Sequence, residues 1–280
     1  MKPLQPPTTR KRPPAGTGCS RRSFLLAAIS ALGAAPRLLA APPSPGWADR
    51  RVYGPFVCTS AFSLDSLEEV FTELSRLESE LHRTLAVPSA RQTVDVFLLA
   101  DQPTHRAFLE QLYPHVPYRR ALYVRRGGQG AIYAYRHAEL PVDLRHESTH
   151  ALLHATLPDV PLWLDEGLAE YFEVKEADRP SKHPHLAAMR WSLRLGMVRP
   201  VEALEDRQGV GDMGSIEYRF AWSWVHFMLH GPAAAHRTLV QYLADIRRGE
   251  EVGPLSRRLR AAIPDLDERM ERHIRGWRQA

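Results

Sequence analysis

An α+β fold is predicted for this chain of 280 residues, and three observations predict it. Short runs rich in β-branched and aromatic residues, "QTVDVFLLA", "RALYVRR" and "AIYAYRH", fall between residues 92 and 137. Most of the chain beyond them places apolar residues at three- and four-residue spacings, the mark of amphipathic helices. The composition, 44% apolar and 25% charged, is that of a globular domain. Strands early and helices late give a small mixed or antiparallel sheet packed on helices, with a helical C-terminal part.

The first 41 residues stand apart from that fold. "SRRSFLLAAISALGAAP" sets Arg21 and Arg22 before an apolar stretch from Phe24 to Ala35. That stretch is far shorter than the roughly 20 residues a membrane-spanning helix needs. The segment resembles a twin-arginine export signal, which implies cleavage near residue 41 and a periplasmic or extracellular protein. Seven of the 37 basic residues and no acidic one precede residue 42, so the remainder carries 30 basic against 32 acidic side chains, a net charge of −2. The overall charge of +5 therefore belongs to the signal, and no nucleic-acid or anionic-membrane partner is expected. Cys19 leaves with the signal and Cys58 remains alone, which excludes a disulfide-stapled scaffold.

Residues 42–62 read as a linker and N-terminal segment, opening on the Pro-rich "APPSPG". Over residues 63–86, Leu64, Leu67, Phe71, Leu74, Leu77, Leu81 and Leu85 predict a helix, with Ser66 and Glu69 spaced as a capping box. "QTVDVFLLA" is a buried strand ended by Asp101-Gln102-Pro103, and the two aromatic-rich runs around "GGQG" form a hairpin. A helix from Pro141 to about Leu157 is broken by "LPDVP", and a second runs from Pro161 to about Val174. Residues 63–174 are thus the core that bears the site. Helices near 184–195, 215–230, 233–248 and 264–276 make residues 175–280 a helical part that completes a cleft, bordered by the glycine-rich loop "EDRQGVGDMGS".

The chemistry lies in "RHESTHALLH" and "PLWLDEGLAEYFE". Residues four apart on a helix share a face, so His146 and His150 can direct two imidazole nitrogens at one metal ion. Glu147, next in sequence, can then reach a water at that ion without binding it, as metal-assisted hydrolysis requires. A catalytic zinc set takes three protein ligands and keeps one position open. The second helix offers Glu166 as the third ligand and Glu170, four residues on, as the acceptor that fixes a histidine tautomer. Asp143 is a weaker candidate for the same support. His154, one turn beyond His150, reads as an ordinary core or surface residue, and His226 and His230 as ordinary helix residues, because no carboxylate stands between them. Trp163, Trp222 and Trp224 read as core.

The paired motif resembles that of the gluzincin zinc metallopeptidases, including thermolysin-like enzymes and zinc aminopeptidases, over roughly residues 92–230. The resemblance implies a Zn2+ cofactor held by His146, His150 and Glu166, with Glu147 as general base, Glu170 supporting a histidine ligand, and a peptide or protein substrate. It also implies that "GAIYAYR" is a sheet edge along the cleft to which a peptide adds. The alternative is an exported binding or assembly protein that keeps the site without turnover. The aminopeptidase G-x-M-x-N strand has no counterpart in "GGQGAIYAY", so aminopeptidase activity is not implied. For the transition-state hydrogen-bond donor, Tyr218 in "SIEYRFAWSW" is the candidate, with Tyr171 and Tyr135 as competitors.

Overall fold

The computed structural model describes residues 46–277 apart from 91 and 208. The twin-arginine segment, Cys19 and the cleavage region lie outside the described residues. A five-stranded mixed sheet has the order β1-β2-β3-β5-β4, with β1 (Asp49–Tyr53), β2 (Phe56–Ser60), β3 (Val94–Leu99), β4 (Ala121–Arg126) and β5 (Gln129–Tyr135). β2, β3 and β5 run parallel, while β1 and β4 pair antiparallel at the two edges. Residues 49–60, read above as linker and leading segment, thus supply two strands. Their side chains carry no long apolar run, and β1 in particular is a half-exposed edge.

Alternation along β3 explains how the sheet is clothed. Val94, Val96 and Leu98 face one side and join Phe56, Cys58, Ile132 and Ala134 in the main core. Leu99 and Phe97 face the other, with Tyr133, Phe108 and Leu109. The main-core side is covered by α1 (Glu68–Leu85) and α3 (Leu140–His154), the other by α2 (Gln102–Leu112). α2 occupies the place where Asp101-Gln102-Pro103 was read as a break. Asp101 instead caps the helix through Thr104 N, and a proline is tolerated in the first turn because its missing N–H has no intrahelical partner there.

The expected capping box at Ser66 does not form. Ser63 caps a short 3-10 turn, Leu64–Leu67, and α1 then begins at Glu68 without a side-chain cap. Beyond the core, α4 (Leu162–Phe172), α5 (Pro184–Arg194), α6 (Val201–Glu205), α7 (Ser215–His230), α8 (Ala233–Arg247), α9 (Leu255–Ala262) and α10 (Leu266–Gly276) follow, and α6 and α9 fall where no helix is predicted. α4 and α7 pack at backbone distance. A Cβ on Gly167 would lie 2.8 Å from the Ala221 carbonyl oxygen, so glycine after Glu166 is what lets α7 approach the site. No described helix is long and apolar enough to cross a membrane.

Candidate metal centre

α3 lies between the sheet and the C-terminal helices and is buried on most of its circumference from Asp143 onward. Arg145, immediately before His146, is buried and bound by Glu73 of α1 at 2.5 and 3.0 Å, which fixes the helix against its neighbour. Asp143 does not support a ligand histidine. It accepts two hydrogen bonds from Arg120 at 2.6 and 2.7 Å and lies 3.1 Å from His137. The compact "LPDVP" turn then reverses the chain into α4.

The turn brings three acceptor atoms together. His146 Nε2 lies 3.2 Å from His150 Nε2, and Glu166 Oε2 lies 3.6 and 3.7 Å from these two nitrogens. A tetrahedral cation about 2.0–2.1 Å from each ligand needs ligand separations of roughly 3.4 Å, and the observed triangle brackets that value. The far side of each ring explains the tautomers. His146 Nδ1 hydrogen-bonds Glu173 Oε2 at 3.0 Å, and His150 Nδ1 lies 2.9 Å from Asp165 Oδ2, off the straight N–H line. In the neutral rings, with the proton on Nδ1 beside these carboxylates, each Nε2 presents a lone pair next to the Glu166 oxygen, and a bound cation takes the place of the protons that the metal-free histidines carry. A cation satisfies such a set, and two nitrogens with one carboxylate oxygen suit zinc.

Electrostatics agree in sign. Burial disfavours a charged imidazole, but hydrogen bonding with Glu166 and Glu173 raises the His146 pKa well above its ordinary value. Burial is likewise outweighed at His150, where Asp165 and Glu166 raise the pKa to about 9. Burial opposes ionisation of Asp165 too, yet His150 and then His154 hold its carboxyl well below the usual range. The pocket attracts positive charge.

Glu147 turns towards the sheet, where its Oε2 accepts a hydrogen bond from Tyr123 N at 2.8 Å. This contact corrects the identity of the cleft strand. "GAIYAYR" is β5 and lies between β3 and β4, so the free edge beside Glu147 is β4, "ALYVRR". The hairpin places its first strand outside because its second pairs parallel with β3.

Glu170 also differs from expectation: its Oε2 lies 2.7 Å from His185 Nε2, and the support of the histidines falls to Glu173 and Asp165. Residues 166, 170 and 173 share one face of α4, so the helical spacing contained Glu173, while Asp165 reaches His150 from the adjacent face. His154 has a partner as well, its Nε2 standing 3.1 Å from Asp165 Oδ2. The groups His150–His154–Asp165 and His146–Glu170–Glu173 could also gather a cation, but their close contacts use the Nδ1 atoms of His150 and His146, the nitrogens opposite the first set.

Of the three tyrosines, Tyr171 donates to or accepts from His230 Nε2 at 2.7 Å, and Tyr135 packs by His137 and His105 beside the second core. Tyr218, at the start of α7, stands within electrostatic reach of Glu166 and Glu170; burial first, then the charge of Glu166, pushes its pKa up to about 12.

No protein-family model and no curated protein matches the chain. Among solved structures, similar chains include three of an M1 zinc metallopeptidase from Deinococcus radiodurans. They are a point mutant (TM-score 0.48), the enzyme itself (0.45) and the mutant bound to a Tyr-Ser-Ala substrate (0.41), each 18% identical. They cover 84%, 82% and 84% of this chain and 52%, 50% and 52% of their own. The chain spans about half the length of these neighbours.

Proposed function

We propose that this protein is a zinc-dependent peptide hydrolase, exported by the twin-arginine route. The observation that carries the reading is the meeting of His146 Nε2, His150 Nε2 and Glu166 Oε2 in one triangle 3.2 to 3.7 Å on a side, beside a carboxylate tethered to a free sheet edge. When bound, zinc supplies Lewis acidity and lowers the pKa of a water towards neutrality.

The chain's own groups do the rest. Tyr123 N–H holds Glu147 by Oε2, which leaves Oε1 to take the proton of the attacking water and return it to the leaving amine. The outward N–H and C=O groups of β4 that Glu147 does not occupy align the peptide as an added strand. Tyr218 donates a hydrogen bond to the carbonyl oxygen as negative charge develops there. Glu173 and Asp165 hold the two imidazoles in the tautomer that presents Nε2.

The test pairs metal content with turnover of a quenched peptide library. The wild type is expected to bind one zinc and to cleave, with activity removed by chelator and restored by zinc. Glu147→Gln is expected to keep the zinc and lose turnover by at least 100-fold, the order that general-base removal costs. Equal cleavage by this variant would refute the assignment of the base. Zinc binding without turnover of any library member by the wild type would establish the binding-protein alternative.

A further inference from the structure

The free edge strand carries its own charge pattern. Ala121, Tyr123 and Arg125 pair with Ala134, Ile132 and Gly130 of β5, on the face of the sheet that α3 covers. Tyr123 marks this face: its ring lies 5.6 Å from that of His154 and over Gly130, where a Cβ would come within 3.0 Å of it. Because Gly130 has no side chain, Arg125 meets no cross-strand side chain there. Just before β4, Arg119 is exposed, and its charge acts on Tyr218 of α7. Arg120 between them is occupied by Asp143. Among the described residues, neither Arg119 nor Arg125 has a carboxylate at ion-pair distance.

Position along the strand converts this into a register. Tyr123 N–H points away from β5 to Glu147, so the odd-numbered residues of β4 direct their peptide groups outward. The bond to be cut then lies near position 123. At about 3.3 Å per residue, Arg125 stands roughly 7 Å to one side, while Arg119 precedes the strand on the other side, with its charge directed to Tyr218.

We propose that the cleft selects acidic peptides, with carboxylates on both sides of the cleaved bond paired to Arg125 and Arg119. This rests on the hydrolase reading for the location of the cleaved bond, and on the edge strand for the recognition. Charged side chains on a sheet edge also deter edge-to-edge pairing, but that role is indifferent to the sign of the charge. Recognition is not. Exposed ion pairs are worth up to about fivefold in affinity each and weaken with salt.

The experiment uses the zinc-loaded Glu147→Gln protein and three fluorescein-labelled peptides of one length, with Glu, Gln or Lys at the flanking positions. By fluorescence polarisation, the Glu peptide is expected to bind roughly three- to tenfold more tightly than the Gln peptide and the Lys peptide most weakly, the differences shrinking in high salt. The further changes Arg119→Gln and Arg125→Gln together should erase the preference, and Arg119→Glu with Arg125→Glu should turn it towards Lys. Equal affinity for the Glu and Gln peptides, a preference that survives the double change, or no binding to any peptide overturns the proposal. The same peptides given to the wild type separate the two readings. Cleavage without charge preference sinks acidic selection and leaves hydrolysis, whereas charge-selective binding without cleavage sinks hydrolysis and leaves recognition.

Discussion

His146 and His150 on α3, and His226 and His230 on α7, share the spacing that stacks two imidazoles on one helical face. Their surroundings are opposite. His226 is hydrogen-bonded on both sides, to His273 Nε2 at 2.9 Å and the Pro180 carbonyl at 2.8 Å, and His230 is held by the Tyr171 hydroxyl. Among the described residues no carboxylate faces them closely, and burial lowers the pKa of both, to about 3 for His226. At the first pair, Glu166, Asp165 and Glu173 reverse the effect of the same burial. Spacing makes two imidazoles neighbours; the acids of a second helix decide whether they present lone pairs to a cation or complete a packed core.

The largest effect should separate the pairs outright. His150→Ala or Glu166→Ala removes one of three ligands and is expected to weaken zinc binding by several hundredfold or more in a competition titration against a chromophoric chelator. His226→Ala should retain one zinc per folded protein, whatever it costs in stability. Zinc loss on the second change with retention on the first would invert the comparison.

A smaller loss is expected where the acids act at one remove. Asp165→Asn and Glu173→Gln leave every ligand in place but remove the carboxylate charge that draws the proton to Nδ1, and outer-layer changes of this kind cost about 10- to 100-fold in metal affinity. Affinities within twofold of the wild type would mean that the two contacts at 2.9 and 3.0 Å do not orient the rings.

These roles also show what the sequence could reveal. The helices bearing His146, Glu147, His150 and Glu166 were legible because apolar periodicity and proline breaks are local, and α7 begins and ends where its pattern does. The choice of Glu170 over Glu173 was not, because both lie on the face of Glu166 and only the course of α5 shows that His185 claims Glu170. The edge strand was misjudged for a related reason: β4 and β5 have similar composition, and which of them is outside depends on pairing with β3 and hence on β2. Nothing near residues 49–60 announces two strands, since β1 is half exposed and takes its register from β2.

The acid limb of stability should sharpen the contrast further. His226 stays neutral in the fold down to about pH 3, whereas its unfolded counterpart takes up a proton near 6.5. The unfolded chain therefore binds more protons between those values, so stability is full above pH 6.5 and is lost as pH falls, by roughly 2 kcal/mol at pH 5 from this residue. At His150 the direction reverses in metal-free protein. Its raised pKa contributes stability below pH 6.5 that is lost as pH rises through about 9. Denaturant melts of metal-free His226→Gln across pH 4–8 should show a flatter acid limb than the wild type, and an unchanged slope would mean that His226 is protonated in the fold.

The smallest effect belongs to His154, whose Nε2 lies 3.1 Å from the same Asp165 oxygen that faces His150. Asp165 is buried, and its other oxygen has no hydrogen-bond partner among the described residues, so His154 is the second contact that holds the carboxylate in line. Deleting the ring should let Asp165 rotate and loosen its hold on His150 without touching a ligand. His154→Ala is expected to weaken zinc binding by roughly three- to tenfold, below the range for removing the carboxylate itself. His154→Gln, whose amide can donate to Asp165, should recover most of that loss. Failure of glutamine to rescue while the fold is intact would show that His154 acts through packing against Tyr123, and an affinity unchanged in His154→Ala would confine the support of His150 to Asp165 alone.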